Sequence, residues 1–453
     1  MFTGLYRKVQ PLFVFLLLVF LIAAGGGGAA DASGNTATID TSGIVKTTLD
    51  NGLTILINPN AENEVVDTQL LIKAGRAYET EGKYGVSALL QKVITRGTGS
   101  ASAAQIDSRL ETYGAWLDTG SEAEYSMISL KSTREVFLQC LPILCDMIRN
   151  PAFPKEEIEK ERAMLIQEIA GAGDQPANIA DDNFLKSFYG ASPYGVTAAR
   201  LSQSIAAMGR EDLLAWYHRT YVGSNMVLSI VGKVNAPDLV KKLKAALGDL
   251  PAGEALSPNG AGIPEHDRDA VITQVKQTQA LFMILGYPAP EMHNADWPAM
   301  AVLNWMLGGG GMSSRLFSEL REQKSLAYDV DSSYFKLFGP SYIEAFIATA
   351  PENYQAARDG IVAAFQRFTV ETVSAAELAT AKQAVRGRFV MAHETNAGRA
   401  EIAGRYELLG LGYPFEMQYP LLIDRVSAAD VQRVAQKYFR HYTLSVVAPT
   451  EIK

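Results

Sequence analysis

The two halves of the chain end with the same sequence pattern, and this internal repeat constrains the fold more than any other feature. In the middle of the chain, the aromatic and basic segment Trp216–Tyr221 leads into the apolar run Leu228–Gly232. Close to the C-terminus, Lys437–Tyr442 leads into Leu444–Ala448 in the same way. A pattern that recurs at corresponding places indicates a duplicated structural unit. The sequence therefore predicts two homologous domains.

Alternation of strand-like and helix-like segments predicts an α+β fold in each domain, with an antiparallel-rich sheet covered by helices. The length of 453 residues is also too great for one ordinary domain. Gly, Pro, Ala and Ser are concentrated in the middle of the chain, which is typical of a linker. We therefore predict an N-terminal domain over 45–247, a linker over 248–268 and a C-terminal domain over 269–450.

The N-terminus has the composition of a targeting signal. Arg7 and Lys8 precede an apolar stretch from Leu12 to Ala24, and Ala30–Ala32 offers a small-x-small cleavage site. These 13 apolar residues are few for a bilayer span. We predict a cleaved signal over 1–32 and a periplasmic or secreted protein, with an uncleaved inner-membrane anchor as the alternative.

The charge balance argues against nucleic acid as a partner. The chain has 41 Lys and Arg against 49 Asp and Glu, a formal charge of -8, and no basic run in the mature region. Its two cysteines, Cys140 and Cys145, are five residues apart, which would place them on different faces of a helix. We expect buried free thiols.

Several segments of the first half resemble the family of zinc proteases that includes pitrilysin and the mitochondrial processing peptidase, the inverzincins. Asn51–Thr54 matches the start of the family domain, Ala74–Glu79 matches its Gly-x-x-x-Glu segment, and Gly85–Thr98 matches the helix that carries H-x-x-E-H. The resemblance extends over about residues 45 to 450. It implies that the two domains form half of a clam-shell chamber that encloses extended peptides.

The residues that would bind zinc are missing. The two histidine positions of the motif fall on Ala88 and Lys92, and the general-base position falls on Gln91. Zinc-dependent peptide hydrolysis needs two neutral imidazoles on one helical face and a carboxylate that takes a proton from the zinc-bound water. We therefore predict no metal ligand in this chain and no activity of the chain alone.

A carboxylate stands where the family has its third zinc ligand. Glu161 and Glu168 lie seven residues apart and project in the same direction on a helix. Glu168 lies 76 residues beyond Lys92, which resembles the family spacing. We predict a salt bridge between Lys92 and Glu168 at the former metal position.

The second half retains a specific family signature. A glycine run opens the segment Gly308–Phe317, and Arg321 and Tyr328 follow with the family spacing of seven. The pattern over Ser313–Gln323 predicts a helix. The resemblance implies that Arg321 holds a substrate carbonyl and that Tyr328 donates a hydrogen bond to the oxyanion at the zinc site of another half or subunit. The alternatives are a helix-end salt bridge for Arg321 and packing at the domain interface for Tyr328.

The edge strand that pairs with substrate in the family also departs from the usual pattern. Active members carry Asn-Ala-x-Thr, whereas this chain has Asp118–Ser121. Main-chain pairing with an extended peptide does not depend on side chains, so such a peptide remains the expected ligand.

Three functions are compatible with these features. The first is a non-zinc subunit that docks on a homologous, zinc-binding subunit and supplies Arg321 and Tyr328, so that zinc is expected in the partner. The second is a peptide-holding or structural protein that resembles the core subunits of respiratory complexes. The third, a self-sufficient metallopeptidase, conflicts with the missing ligands.

Overall fold

The computed structural model describes residues 40–259 and 266–452. The predicted signal over 1–32 lies outside the described residues. Within the described ranges, none of the helices has the length and apolar character to cross a membrane.

The first half is built on a mixed sheet. Its strands follow the order β1-β2-β6-β3-β5-β4, and only β2 and β6 run parallel. The strands are β1 (Val45–Thr48), β2 (Thr54–Pro59), β3 (Val65–Ile72), β4 (Trp116–Ser121), β5 (Ser126–Thr133) and β6 (Met226–Gly232). The helices are α1 (Val86–Val93), α2 (Ala103–Thr112), α3 (Arg134–Arg149), α4 (Lys155–Gly173), α5 (Pro176–Tyr189), α6 (Ala198–Ala206), α7 (Arg210–Thr220) and α8 (Ala236–Leu247).

The second half repeats this plan. Its strand order is β7-β11-β8-β10-β9, again with one parallel pair, β7 and β11. The strands are β7 (Ala270–Val275), β8 (Leu281–Ala289), β9 (Asp329–Phe335), β10 (Ser341–Thr349) and β11 (Thr443–Ala448). The helices are α9 (Trp297–Asn304), α10 (Tyr354–Val370), α11 (Ala375–Ala392), α12 (Asn396–Leu408), α13 (Phe415–Asp424) and α14 (Ala428–Tyr438).

The two sheets correspond strand for strand, which confirms the predicted α+β fold and its duplication. The order β2-β6-β3-β5-β4 of the first sheet has the same directions as β7-β11-β8-β10-β9 of the second. The motif that ends each half supplies the buried central strands β6 and β11. Only β1 lacks a counterpart among the described strands.

Each half sends one helix onto the sheet of the other. Helix α12 packs on β3 and β6, and α5 packs on β8 and β11. Glycines permit both close approaches: a Cβ on Gly286 of β8 would lie 2.6 Å from Phe184 of α5, and a Cβ on Gly404 of α12 would lie 2.5 Å from Leu71 of β3. The halves therefore complete each other's cores.

Polar groups also fix the start of α12 on the first half. The Asn60 amide donates to the Asn396 side-chain oxygen over 2.8 Å, and the Asn396 amide donates to the Val65 carbonyl over 2.8 Å. The Ala397 N–H donates to the carboxylate of Asp67, which is buried on β3. Because buried polar groups are costly when unsatisfied, these contacts specify where the helix docks.

Residues 248–259 contain no helix or strand and lie along the first half. The Asn259 amide donates to the Tyr78 carbonyl over 2.8 Å, and the Leu256 N–H donates to the Asn225 side chain over 2.8 Å. Cys140 and Cys145 are buried free thiols on α3, as the sequence predicted.

Candidate functional site

A buried carboxylate fixes the helix that carries the altered zinc motif. Both oxygens of Glu79 accept hydrogen bonds from the start of α1, from the Gly85 N–H over 2.7 Å and from the Ser87 N–H over 2.9 Å. Burial raises the pKa of Glu79, and the N–H donors oppose that shift. The Gly-x-x-x-Glu segment thus caps α1 from outside the helix.

In this chain, the three motif positions on α1 make structural contacts and carry no zinc ligand. Ala88 packs against the hydrophobic core, and the buried Gln91 amide donates to the Tyr221 hydroxyl over 2.8 Å. Lys92 Nζ lies 3.2 Å from Glu168 Oε2, which confirms the predicted salt bridge. An alanine, a neutral amide and an ammonium do not form a zinc site, and no group of three or more His, Cys, Asp or Glu in the described residues could hold a metal ion.

Glu161, which the sequence places on the same face of α4 as Glu168, pairs with a basic residue just beyond α1. Glu161 is buried, and its Oε1 lies 2.9 Å from Arg96 Nε. The sequence placed Glu161 and Glu168 on one helical face but did not identify Arg96 as a partner. Glu161 and Glu168 thus both pair with basic residues at or just beyond the C-terminal end of α1, Arg96 and Lys92.

The edge strand β4 lies beside α1. In the described part of the chain it pairs only with β5, so its other edge is open. The Thr119 hydroxyl donates to the Gln91 carbonyl over 2.8 Å, which ties this edge to the motif helix. Trp116, at the start of the strand, is 69% exposed. The strand thus offers main-chain groups to an extended peptide beside the former metal position.

The glycine run of the second half is closely packed. After α9, the chain continues in a π-helical turn over Trp305–Gly309. A Cβ on Gly308 would lie 2.3 Å from the backbone nitrogen of Ser332, and a Cβ on Gly309 would lie 2.6 Å from the Asn304 side chain. Gly308 is therefore required by close contact with the backbone of β9, and Gly309 lies against the Asn304 side chain, so this part of the segment is packed and is not a simple flexible turn.

Arg321 lies in a second π-helical segment, Phe317–Gln323, where the sequence predicted an ordinary helix. Its guanidinium carbon lies 5.1 Å from the centre of the Phe317 ring. Segments of π-helix are uncommon and occur often at functional sites. Among the described residues, no carboxylate forms a salt bridge with Arg321, so the helix-end ion pair considered from the sequence is not observed.

Tyr328 is 61% exposed. Its backbone N–H donates to the Ala348 carbonyl over 2.8 Å, which fixes the residue immediately before the edge strand β9. The side chain projects from the surface and is not packed at the domain interface. Within the described ranges, no hydrogen bond or ion pair joins the side chain of Arg321 or Tyr328 to α1.

Two family models match successive parts of the sequence. Residues 54–200 match the model of insulinase, peptidase family M16, and residues 207–385 match the model described as the peptidase M16 inactive domain. Among relatives, a protein from Rickettsia bellii named an uncharacterized zinc protease is 28% identical over 89% of this chain and 97% of its own length. A protein from Bacillus subtilis that is also named an uncharacterized zinc protease is 26% identical over 90% of this chain and 98% of its own length.

Two solved structures share the fold. A protease from Helicobacter pylori superposes with a TM-score of 0.84 at 22% identity, covering 90% of this chain and 99% of its own. A peptidase M16 inactive domain from Pseudomonas fluorescens gives a TM-score of 0.84 at 20% identity, and the superposition covers 90% of this chain and 98% of that one. The two matched models show that the chain belongs to peptidase family M16, and the solved structures show that it has the architecture of one half of the family's clam shell.

Proposed function

We propose that the chain is the non-zinc subunit of a two-chain zinc peptidase and supplies Arg321 and Tyr328 to the active site of a homologous, zinc-binding partner. The observation that supports this proposal is the exposure of both Arg321 and Tyr328, in a chain whose own motif helix cannot bind zinc. In the described residues, neither the Arg321 guanidinium nor the Tyr328 hydroxyl has a hydrogen-bond or ion-pair partner, so both polar groups are available to an external ligand.

Their chemistry suits the transition state of peptide hydrolysis. The Arg321 guanidinium would donate to a substrate carbonyl and hold the extended peptide in position. The Tyr328 hydroxyl would donate a hydrogen bond to the oxygen that becomes negative as water attacks the scissile carbonyl. The partner's zinc would supply the activated water.

The open edge of β4 supports a second candidate function, a subunit that holds peptides without taking part in hydrolysis. The Lys92–Glu168 salt bridge fills the former metal position, and the neighbouring edge still offers backbone hydrogen bonds. In both cases we propose that the protein acts in the periplasm or outside the cell, as the N-terminal signal suggests.

Co-expression with a zinc-binding homologue distinguishes the two functions. The purified complex should cleave a quenched fluorescent peptide in a chelator-sensitive reaction. We expect Tyr328→Phe to lower kcat/KM by roughly 100- to 1,000-fold, as loss of an oxyanion hydrogen bond does. Arg321→Ala should also lower kcat/KM, because the peptide is no longer held in position. The matched control is Arg425→Ala, which removes an exposed arginine at the end of α13 in the same half.

The control should retain full activity, and all three variants should keep the circular dichroism and partner affinity of the wild type. Full activity of R321A and Y328F in such a complex would refute the shared active site. Peptide binding without any effect of these substitutions on cleavage would favour the peptide-holding function.

A further inference from the structure

A cavity of about 320 Å³ lies between the two halves. The first half contributes the loop between β4 and β5 and the end of α5, and the second half contributes the loop after β9 together with Arg405 of α12. None of the residues proposed for peptide hydrolysis lines this cavity. It is therefore a separate feature of the molecule, and its chemistry does not depend on the proposed function.

Basic groups dominate its charged lining. Three basic residues, Arg76, Lys336 and Arg405, line the cavity together with two carboxylates, Glu122 and Glu124. Glu124 is engaged by the protein itself, because its oxygens accept the Phe338 N–H over 2.9 Å, the Gly339 N–H over 2.7 Å and the Tyr194 hydroxyl over 3.1 Å. The lining thus has one more basic side chain than it has carboxylates.

Lys336 lies in an aromatic cage. Its Nζ is 4.1 Å from the centre of the Trp297 ring and 4.8 Å from that of Tyr419. No carboxylate in the described residues forms a salt bridge with it. Desolvation, and secondarily the charge of Arg405, lower the pKa of Lys336 to about 7. The rings favour an ammonium, but they do not supply a full negative charge.

Arg405 is the second basic residue whose side chain is not fully satisfied by neighbouring groups. Its Nε is buried and has no hydrogen-bond partner, although Glu401 and the Tyr125 hydroxyl act on the same guanidinium. A buried donor that lacks an acceptor costs free energy, and an oxygen ligand would remove that cost.

We propose that this cavity binds a carboxylate attached to an apolar or aromatic group, with the carboxylate between Lys336 and Arg405. A carboxylate accepts hydrogen bonds from an ammonium and from a guanidinium, and its charge offsets both. The remaining walls are apolar and aromatic, including Phe335, Leu337 and Tyr342. The C-terminal residue of a peptide and a free aromatic acid share this chemistry.

Calorimetric titration of the full-length protein with N-acetylphenylalanine and with its neutral amide tests the proposal. The two probes have nearly the same shape, but only the acid carries the charge. We expect the acid to bind at least 10-fold more tightly at pH 6, and Lys336→Met to remove that preference. Methionine suits the aromatic cage without a charge, and Lys155→Met on the exposed start of α4 is the matched control.

The pH dependence follows from the lowered pKa of Lys336. Affinity for the acid should decrease between pH 6 and pH 8, because the ammonium loses its proton. In the absence of ligand, the lowered pKa makes the folded protein less stable below pH 7, and this penalty disappears as pH rises towards the usual lysine pKa. K336M should therefore have a higher Tm than the wild type at pH 6 and an equal Tm near pH 10.

Equal affinity for the acid and the amide would overturn the proposal, as would unchanged acid binding by K336M. Because the Tm comparison reports on the desolvated charge of Lys336 without any ligand, a destabilised K336M at pH 6 would also count against the proposal. Titration with the tripeptide acid Ala-Ala-Phe then separates the two sources: tighter binding than N-acetylphenylalanine indicates a peptide C-terminus, and weaker binding indicates a free acid.

Discussion

At the scale of single residues, the former metal position is held by a salt bridge of small energetic value. The side chains of Lys92 and Glu168 are 38% and 50% exposed, and exposed pairs of this kind contribute about 0–1 kcal/mol. Their separation of 3.2 Å shows that positions 92 and 168 still face each other across α1 and α4. The side chains at these positions are not zinc ligands, but α1 and α4 still bring the two positions together.

This geometry predicts that zinc binding can be rebuilt. In the triple variant Ala88→His, Gln91→Glu and Lys92→His, two imidazoles one turn apart would face the native Glu168. We expect the variant to bind one zinc per chain by equilibrium dialysis and metal analysis, and the wild type to bind none.

The control adds Glu168→Gln to the triple variant. It should weaken zinc affinity by 10-fold or more, because the third ligand loses its charge. A folded triple variant that takes up no zinc would show that the spacing of α1 and α4 has changed from that of a metal site.

Sequence reasoning succeeded for residues in a family motif and failed for residues gathered from separate elements. The Lys92–Glu168 pair was predictable because both positions are marked by spacing. Lys336 was not predictable, since its aromatic cage comes from α9 and α13 and its neighbouring cation from α12. A single lysine in a loop carries no pattern that identifies such surroundings.

At the scale of elements, the glycine-rich segment behaves as a rigid support. Its first glycines lie against the backbone of β9 and against Asn304, and the chain on either side is wound as π-helix. The sequence predicted a helix over Ser313–Gln323, and the structure is helical there, but with the wider π winding at Phe317–Gln323. Residue spacing alone does not distinguish the two windings.

Gly308→Ala should therefore destabilise the protein. Its Cβ would lie 2.3 Å from the Ser332 backbone nitrogen, and overpacking of this kind costs about 1–3 kcal/mol. The matched control is Gly387→Ala inside α11, where nothing lies within 4 Å of the new Cβ. That change should stabilise the protein by about 0.5–1 kcal/mol, because alanine is the better helix former.

Urea unfolding of both variants measures these free energies. Equal changes in the free energy of unfolding for G308A and G387A would show that the glycine run is not tightly packed. Loss of peptidase activity in the G308A complex, with partner binding retained, would connect the rigid segment to the placement of Arg321.

At the scale of the whole molecule, the two halves do not have independent cores. Helix α12 covers the first sheet and α5 covers the second, so each half alone would expose the apolar face of its sheet. Such exposed faces drive aggregation. The duplication was predictable from the repeated ending motif, but the exchange of helices was not, because helix patterns do not reveal which sheet a helix will cover.

Separate expression of residues 45–247 and 269–450 should give two insoluble or unstable products. Expressed together, the two pieces should associate into a soluble complex with the circular dichroism of the intact chain, because the exchanged helices can then dock. Size-exclusion chromatography measures the outcome. A monodisperse, cooperatively melting N-terminal piece would contradict the mutual completion of the cores.

The exchange of α5 and α12 between the two halves suggests how the gene evolved. Two identical copies that trade one helix form a domain-swapped dimer, and joining them end to end yields one gene with the topology seen here. In such a fused pair, the two copies no longer need the same residues, because each contributes to one shared body. The first copy could lose its metal ligands and the second could keep its arginine and tyrosine, while the exchanged helices continued to hold both in a single fold.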